Sequence, residues 1–420
     1  MGEEGVVVVM REFDPERDSK EVDEIERVCE VGQSGQTSIF TDLLGDPICR
    51  IRHAPAFLML VAVMVKGEEE REIVGMVRGC IKTVTCGKKL SRNGKNGGND
   101  SLKPKPVPVP VPLHVPVYSK TAYILGLRVS PSHRRMGIGL KLVCKIEEWF
   151  RENGVEYSYM ATEMDNEASV KLFTERCGYS KFRNPSILGH PVYAHRVSIT
   201  NRVRIFELSP FEAEALYRRR LSTTEFFPRD IDTILNNRLN LGTFIAVPSR
   251  GYSYSWPGLD HFLSNPPDSW AVLSIWNSKE VFSVEVRGAS LAIRGLAKSS
   301  RIVDNAFPWL GIPSMPEVFK PFGFHFLYGL GGHGPDSVKM IKSLCRFAHN
   351  FAREKGCCAV VTEVSKMEPL KVGIPYWKKF SCEDDLWCMK RLGEDYSDGS
   401  LGDWTKSPPG ISIFVDPREI

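Results

Sequence analysis

The sequence contains no apolar run long enough to cross a membrane. Its most apolar stretch, Phe57–Val65, has nine residues, about half of what a spanning helix needs, and instead predicts a buried strand. The first residues, Met1-Gly2-Glu3-Glu4, lack the basic region and the cleavage site of a secretory signal. We therefore expect no membrane partner.

The sequence also has little excess charge of either sign. Its 55 basic and 51 acidic side chains leave a formal net charge of +4 over 420 residues. Such a balance argues against a nucleic-acid polymer as partner and against an acidic tail. The basic group in residues 88–105 has no aromatic side chains among it for base stacking, so we expect no direct sequence-specific nucleic-acid binding.

The eleven cysteines do not form a metal site or a redox site. No two of them have the C-x-x-C spacing, and their number is odd. Free thiols are typical of reducing compartments, so we expect the nucleus or the cytoplasm, and no metal cofactor.

The length and the order of patterns predict a mixed α/β fold in two domains. A chain of 420 residues exceeds what one core usually serves. Strand–helix–strand order occurs twice, and the runs Tyr123–Gly154 and His325–Gly356 have equal length, which indicates a duplication. We predict a first domain at 1–200, a second at 201–395 and a C-terminal extension at 396–420 that packs on the body. Residues 87–117, rich in Gly, Asn and Pro, are predicted to form a disordered insertion.

One segment carries a pattern for binding an anion. A strand ends at Val129, a turn follows, and a helix begins within Arg134-Arg135-Met136-Gly137-Ile138-Gly139. The first turn of a helix has unpaired amides and positive potential, glycine lets an anion approach the backbone, and arginine binds phosphate oxygens. These properties together predict a site for a pyrophosphate.

Other interpretations of this segment are open. The two glycines can serve close helix–sheet packing, and the arginines can be solvated surface charge. A Walker A loop is excluded because no Gly-Lys-Ser/Thr follows, and the G-x-G-x-x-G of a dinucleotide fold is absent after the first strand.

The segment resembles the coenzyme A motif of the GCN5-related N-acetyltransferases (GNAT). The resemblance is carried by Arg134-x-x-Gly137-x-Gly139 after Leu127-x-Val129, and it continues through the run Asn166–Phe173 to Cys177-Gly178-Tyr179. It covers roughly residues 6–185. It implies that acetyl-CoA is the co-substrate and that the fourth and fifth strands of the fold splay apart around its pantetheine arm. The coenzyme-binding residues that it implies are Leu127, Val129, Arg134, Arg135, Met136, Gly137, Ile138, Gly139 and Asn166.

A second resemblance covers nearly the whole chain. The segments 40–47, 222–230 and 403–410 are similar to the plant Hookless proteins, which are regarded as N-acetyltransferases. That resemblance implies a role in differential growth under ethylene and auxin, in the nucleus.

Acyl transfer to an amine needs a base for the amine and a donor for the leaving thiolate. We rank Tyr123 first as base, because its position matches a tyrosine that some protein N-terminal acetyltransferases use, and Glu163 second, because it ends the next strand beside Asp165. Each can also be structural, Tyr123 as a core aromatic and Glu163 as a solvated charge. Many family members have a tyrosine as thiolate donor where this chain has Phe173.

The second half lacks the pattern of the first. Its glycine-rich run, residues 329–335, precedes Asp336 and has no arginine beside it, so we expect a degenerate GNAT-like domain. Three functions follow as hypotheses. The first is acetylation of a protein amine, either a lysine (for instance of a histone) or an N-terminus. The second is acetylation of a small amine, and the third is a regulatory or scaffold role with weak or no catalysis, through coenzyme A or protein partners. The sequence leaves the oligomeric state open.

Overall fold

The computed structural model describes residues 7–29, 38–66, 70–90, 115–252, 255–393 and 402–420. Its strands are β1 Val7–Glu12, β2 Ser38–Asp42, β3 Ala56–Lys66, β4 Glu70–Leu90, β5 Val115–Val129, β6 Tyr157–Glu163, β7 Ser180–Arg183, β8 Pro185–Pro191, β9 Val203–Leu208, β10 Asn240–Pro248, β11 Trp270–Asn277, β12 Ser283–Arg287, β13 Phe324–His333, β14 Ala359–Ser365 and β15 Asp385–Arg391. Its helices are α1 Pro15–Val28, α2 Ile138–Glu152, α3 Glu167–Lys171, α4 Pro210–Arg220, α5 Ile231–Leu235, α6 Leu259–Ser264, α7 Leu291–Ala306 and α8 Ser337–Glu354.

The first sheet has seven strands in the order β1-β3-β4-β5-β6-β15-β7. Strands β3 and β4 form an antiparallel hairpin, and β5 and β6 form a parallel pair connected through α2. A parallel pair needs such a crossover, so the apolar face of α2 covers this sheet. The mixed α/β class predicted from the sequence is confirmed.

The second sheet has six strands in the order β8-β14-β13-β11-β10-β9. It also contains one parallel pair, β13 and β14, connected through α8. Strand β5 has Gly126 at φ +60° and β13 has Gly329 at φ +62°, each five residues after the first parallel pair. The pairing of each of these strands with its antiparallel neighbour shifts register beside that glycine. Equal irregularities at equal positions support the internal duplication.

The two sheets exchange strands. Strand β15, from the end of the second half, lies between β6 and β7 of the first sheet, and β8, from the first half, pairs with β14 in the second sheet. Each sheet therefore contains a strand from the other half of the chain. The division into domains near residue 200 stays a prediction, and the sheets do not divide there.

The strands around the predicted insertion are longer than expected. We placed Gly87–Leu90 and Val115–Val117 in the insertion, but they belong to β4 and β5, and Lys89 pairs with Pro116. The composition of these residues favours a loop. They are nevertheless strands because the hydrogen-bond ladder between β4 and β5 continues into them. The remainder of the predicted insertion, residues 91–114, lies outside the described residues.

A shared aromatic core fills the space between the two sheets. It combines Tyr159 of β6, Phe226 from the second half, Trp387 of β15 and Trp404 from the C-terminal segment. The ring centroids of Phe226 and Trp404 are 4.9 Å apart, and those of Tyr159 and Trp387 are 5.4 Å apart. Trp404 is only 1% exposed, so the C-terminal segment is part of this core.

All eleven cysteines are free thiols. Among the described residues, no helix is long and apolar enough to span a bilayer. In the same residues, no group of three or more His, Cys, Asp or Glu side chains could hold a metal ion.

Candidate active site

Two glycines of β4 position helix α2. A Cβ added at Gly79 would lie 2.6 Å from Cδ1 of Ile146, and one at Gly75 would lie 3.2 Å from Cδ1 of Leu142. Without those Cβ atoms the helix lies close on the sheet, with Ile146 and Leu142 fully buried. This contact fixes where the helix begins relative to the end of β5.

The entrance of α2 is open. Residues Arg134–Gly137 are exposed, and Gly137 precedes the helix in the left-handed region at φ +77°, with nothing within 4 Å of an added Cβ. In this part of the described chain the amide of Lys141 donates to the carbonyl of Gly137 at 3.0 Å. The amides of Ile138, Gly139 and Leu140 precede that bond and have no partner within the helix. The structure thus has the unpaired amides that the sequence predicted.

The arginines border this entrance. Arg134 is exposed, and it donates from Nε to the carbonyl oxygen of Val129 at 3.4 Å and from Nη2 to Sγ of Cys29 at 4.0 Å. Arg135 holds the left-handed conformation at φ +66°, and its side chain is exposed. Met136 is 52% exposed, whereas Ile138 is 2% exposed. Ile138 can therefore offer its amide to a ligand, while its side chain belongs to the core.

Strands β5 and β6 separate beside the entrance. They are paired from Thr121–Tyr157 to Ile124–Met160, and no pair beyond this follows, although both strands continue. Leu127 and Val129 lie on the unpaired part of β5. The separation begins at the irregularity of Gly126, where a Cβ would collide with Nη1 of Arg78. The gap offers a free strand edge, the feature that the resemblance implied for the pantetheine arm.

Tyr123, the first-ranked base, lies on the paired part of β5, before the gap begins. Its ring stacks on that of Tyr159, with centroids 4.8 Å apart, and burial raises the pKa of the Tyr123 phenol well above its usual value. The hydroxyl of Tyr159 donates to Glu419 at 2.7 Å. A phenol with a raised pKa keeps its proton near neutral pH. Its role as base stays a prediction, and this burial weighs against it.

Glu163, the second-ranked base, ends β6 in a group of carboxylates. It is half-buried, and its pKa is raised, first by burial and then by the charge of Asp165. Asp385 of β15 lies opposite it in the antiparallel register. Burial raises the pKa of Asp385 to about 7, with a further contribution from the charge of Glu163. Glu363, which accepts from Nε1 of Trp387 at 3.0 Å, also has a raised pKa because of burial and the charge of Asp385.

The structure does not place the two predicted bases side by side. Tyr123 is opposite Tyr159, and Glu163 is four residues further along β6, about 13 Å by the rise of a strand. Burial is the main cause of the raised pKa of Tyr123, followed by the charge of Glu419, and the charges of Glu363 and Asp385 contribute further. We refer to Glu163, Glu363 and Asp385 as the carboxylate group.

Two further positions of the motif have structural contacts. Asn166 caps α3, where its Oδ1 accepts from the amide of Ser169 at 3.2 Å, and it is exposed. Phe173 lies in a π-helical turn, Leu172–Arg176, and is 1% exposed. Its ring meets the edge of Tyr179, whose hydroxyl donates to Ser158 Oγ at 2.9 Å. Burial raises the pKa of Tyr179 well above its usual value.

The corresponding entrance in the second half is filled by the chain itself. Strands β13 and β14 also separate after four pairs, but a Cβ at Gly334 would collide with the carbonyl oxygen of Asp268. The amide of Asp336 donates to Ser269 Oγ at 3.0 Å. A turn at Pro369–Gly373 packs on the first turn of α8, where a Cβ at Gly373 would lie 2.5 Å from the carbonyl oxygen of Val338. These contacts place other parts of the chain against the start of α8 and support the prediction of a degenerate second half.

The sequence did not indicate Asp385, Glu363 or Glu419 as site residues. They are distant in sequence from the motif, and the exchanged strand and the C-terminal segment bring them to it. The only local signal was an acidic residue directly before the apolar run Leu386–Met389.

Comparisons with known proteins agree with this geometry. The model of the acetyltransferase (GNAT) family matches residues 22–179. The "Probable N-acetyltransferase HLS1" of Arabidopsis thaliana is 62% identical over 98% of this chain and 100% of that protein. The "Acetyl transferase GW6a" of Oryza sativa subsp. japonica is 40% identical over 99% of this chain and 98% of that protein.

Among solved structures, a GCN5-related glucosamine N-acetyltransferase region of a fungal multi-domain GH3 β-N-acetylglucosaminidase superposes with a TM-score of 0.51. The match covers 91% of this chain and 38% of that one, at 13% identity, so it concerns the fold alone. The family match spans α2 and the strand gap, and the relatives match along their whole length. The chain therefore belongs to the GNAT family of acetyltransferases.

Proposed function

We propose that this chain transfers the acetyl group of acetyl-CoA directly to an amine of a protein, a lysine (for instance of a histone) or an N-terminus. The observation that carries the proposal is the open entrance of α2 beside the gap between β5 and β6. An anion and an extended arm can enter there together. The GNAT family uses acyl-CoA, and the residues present fit that group.

The diphosphate of the coenzyme would meet the unpaired amides of Ile138, Gly139 and Leu140, with Arg134 and Arg135 beside them. The arm would lie along the free edge of β5 at Leu127 and Val129, and Asn166 would border it from the start of α3. When bound, the coenzyme supplies an activated acyl thioester. This chain would position that thioester.

The carboxylate group would receive the amine. A protein amine arrives as a cation, and carboxylates near the end of β6 attract it. Burial raises the pKa of Glu163 and raises that of Asp385 to about 7, so Asp385 can take a proton near neutral pH. Because Tyr123 keeps its proton, we favour a carboxylate as base, with the phenol as a hydrogen-bond donor.

Calorimetric titration of acetyl-CoA into the full chain tests the binding step. We expect saturable binding, and a loss of at least about 100-fold in the Arg134→Ala/Arg135→Ala variant, since each of the two charge-assisted bonds to phosphate contributes about 1.5–3 kcal/mol. Arg151→Ala is the matched control, because Arg151 is an exposed arginine at the other end of α2. Absence of binding at about millimolar acetyl-CoA, roughly −4 kcal/mol, would remove the proposal.

Release of free coenzyme A in the presence of different amines tests the acceptor. Peptides with a lysine and a blocked N-terminus, peptides with only a free N-terminus, and small amines form three arms of one assay. We expect turnover with one of the peptide classes. Turnover with small amines alone would assign the second hypothesis of a small-molecule enzyme.

One observation favours a second candidate, a regulatory or scaffold protein with weak catalysis. At the position where many GNAT enzymes have a tyrosine donor, Phe173 is buried and has no proton to give. This candidate predicts tight acetyl-CoA binding without release of coenzyme A in any arm of the assay. Full biological activity in a folded Arg134→Ala/Gly137→Glu variant would also favour it.

We propose further that the chain acts in the nucleus, in growth regulation downstream of ethylene and auxin. The support is the Hookless resemblance, together with the 62% identity to HLS1 over the full length. A fluorescent fusion in seedling cells, followed with and without ethylene, tests the compartment. A signal confined to the cytoplasm under both conditions would contradict the nuclear role.

A further inference from the structure

Helix α7 turns its apolar side chains away from the protein. Of its sixteen residues, only Ala297 and Asp304 are buried. Leu291 is 87% exposed, Leu296 is 73% exposed and Ile302 is 58% exposed. A surface helix ordinarily directs such side chains to the core. Here the opposite face is attached to the body.

Polar contacts hold that inner face. Asp304 accepts from the backbone amide of Ala194 at 2.8 Å and lies 2.7 Å from Nδ1 of His195. Arg301 donates to the carbonyl of Val192 at 2.7 Å. The orientation of α7 is therefore fixed by specific bonds, so its exposed apolar face is a defined surface.

The spacing of small and bulky residues gives the exposed face a shallow groove. At 3.6 residues per turn, four small residues lie within about 60° of one another along its centre. Bulky side chains border them, Leu291 and Ile302 on one side and Leu296 and Val303 on the other. A small-residue centre lets a second helix approach closely, with its side chains between the two borders. The four central residues are Ala292, Gly295, Ser299 and Ala306.

The apolar surface continues past the helix. Trp309 is 73% exposed and Leu310 is 57% exposed, and the ring of Phe307 meets that of Trp309 edge to face at 5.5 Å. Exposed apolar side chains thus recur from Leu291 to Leu310. A cluster of exposed apolar side chains is typical of an interaction surface.

The charges at the border are all basic. Arg294 and Lys298 are exposed beside the Leu291–Ile302 side, and the one acidic residue of the helix, Asp304, is buried. A second copy of this face would bring basic side chains towards basic ones. A lipid-binding helix buries bulky side chains such as Trp, Phe and Leu, whereas the α7 face has Ala, Gly and Ser along its centre. A helix with carboxylates along one side complements both the groove and the charge.

We propose that the α7 face, Leu291–Ala306 with Trp309 and Leu310, is a docking surface for an amphipathic helix of a partner protein that carries carboxylates along one side of its apolar stripe. The surface is separate from the candidate active site in sequence and in contacts, and the proposal does not rest on the acetyl transfer.

A designed helical peptide with a leucine and alanine stripe and flanking glutamates is the probe, and fluorescence anisotropy with the full chain is the measurement. We expect a Kd of about 10–100 µM, as for other interfaces of small area. Gly295→Leu should weaken binding at least tenfold, because it fills the groove where an added Cβ meets nothing within 4 Å, so the fold is retained. Lys298→Glu should weaken it several-fold and lessen its dependence on salt.

Phe211→Ser is the matched control, an equally exposed apolar side chain on α4, and it should leave the Kd unchanged. A peptide of the same composition in scrambled order should not bind. The proposal is overturned if the glutamate peptide fails to bind, or binds Gly295→Leu as tightly as the unaltered chain. It is also overturned if Gly295→Leu instead abolishes binding to anionic phospholipid vesicles or self-association measured by light scattering.

Discussion

The pKa values of two buried aspartates are shifted in opposite directions by their neighbours. Asp385 is 4% exposed and faces other carboxylates, so its pKa is raised, whereas Asp416 is fully buried beside Arg418 and Lys82, so its pKa is lowered. Asp385 can therefore take up a proton, whereas Asp416 stays ionised in an ion pair. We accordingly treat Asp385 as a candidate for catalysis and Asp416 as a structural residue.

Asp385→Asn should make the protein more stable at alkaline pH. A raised pKa in the folded state means that the folded form holds a proton which the unfolded form loses near pH 4, so the stability of the unaltered chain falls as pH rises from about 4 to about 7. The asparagine removes that loss, about 2–4 kcal/mol at pH 8. Urea unfolding at pH 5 and pH 8 measures it.

Asp384→Asn is the control for this comparison, since Asp384 is exposed and paired with Lys366 on the surface. Its unfolding free energy should follow that of the unaltered chain at both pH values. Parallel pH curves for all three proteins would show that Asp385 does not titrate near neutrality.

Lys82→Met should destabilise the fold strongly. Lys82 Nζ lies 2.7 Å from Glu419 Oε1, with both side chains less than a tenth exposed, and removal of one partner leaves a buried charge. The expected cost is about 3–5 kcal/mol by urea unfolding. Adding Glu419→Gln should recover part of it. The control Lys366→Met removes an exposed ion pair and should lower the free energy of unfolding by at most about 1 kcal/mol. Equal losses for the two lysine variants would contradict the prediction.

At the level of elements, the site depends on how closely α2 lies on β4. The helix contributes no catalytic side chain, but its first turn carries the amides that would bind the coenzyme, and its distance from the sheet sets their position. Gly79 and Gly75 determine that distance because each faces a branched or aromatic side chain of α2.

Gly79→Ala should therefore reduce both stability and acetyl-CoA binding. The new Cβ would meet Ile146 at 2.6 Å and Phe150 at 2.8 Å, an overpacking that costs about 1–3 kcal/mol and moves the helix outward. Urea unfolding and calorimetric titration at a temperature where the variant is folded measure the two effects. Adding Ile146→Val should restore part of both. Unchanged affinity with reduced stability would show that the entrance tolerates this movement.

Elements with local periodicity were predictable, and those set by distant pairing were not. The sequence predicted a helix that begins within Arg134–Gly139, and the structure has α2 at Ile138–Glu152, because its apolar spacing repeats within the helix itself. The Arg134–Gly139 segment was identified by the same local logic. The position of β15 depends on which strand it pairs with. The sequence Asp385–Arg391 does not indicate that this strand is β6. The carboxylate group depends on that pairing, so half of the candidate site was beyond sequence reasoning.

For the whole molecule, the exchanged strands make each half part of the other's sheet. Loss of the second half would remove β15 from between β6 and β7. Strand β6, which carries Glu163 of the carboxylate group, would then lose its neighbour on that side. The core between the sheets, with Phe226 and Trp404 against Tyr159, connects the halves a second time. Two domains with such connections should not unfold independently, although a chain of this length ordinarily permits it.

Calorimetry should accordingly show one unfolding transition, with equal calorimetric and van't Hoff enthalpies. A cavity in either half should move the entire transition. Leu142→Ala on α2 and Leu344→Ala on α8 remove fully buried side chains, at a cost of about 2–5 kcal/mol each, from opposite halves. Acetyl-CoA should raise the transition temperature of both variants, although the residues proposed to bind the coenzyme lie in the first half alone. If Leu344→Ala instead splits the transition, and the coenzyme shifts only the upper part, the halves fold separately and the exchanged strand contributes little cooperativity.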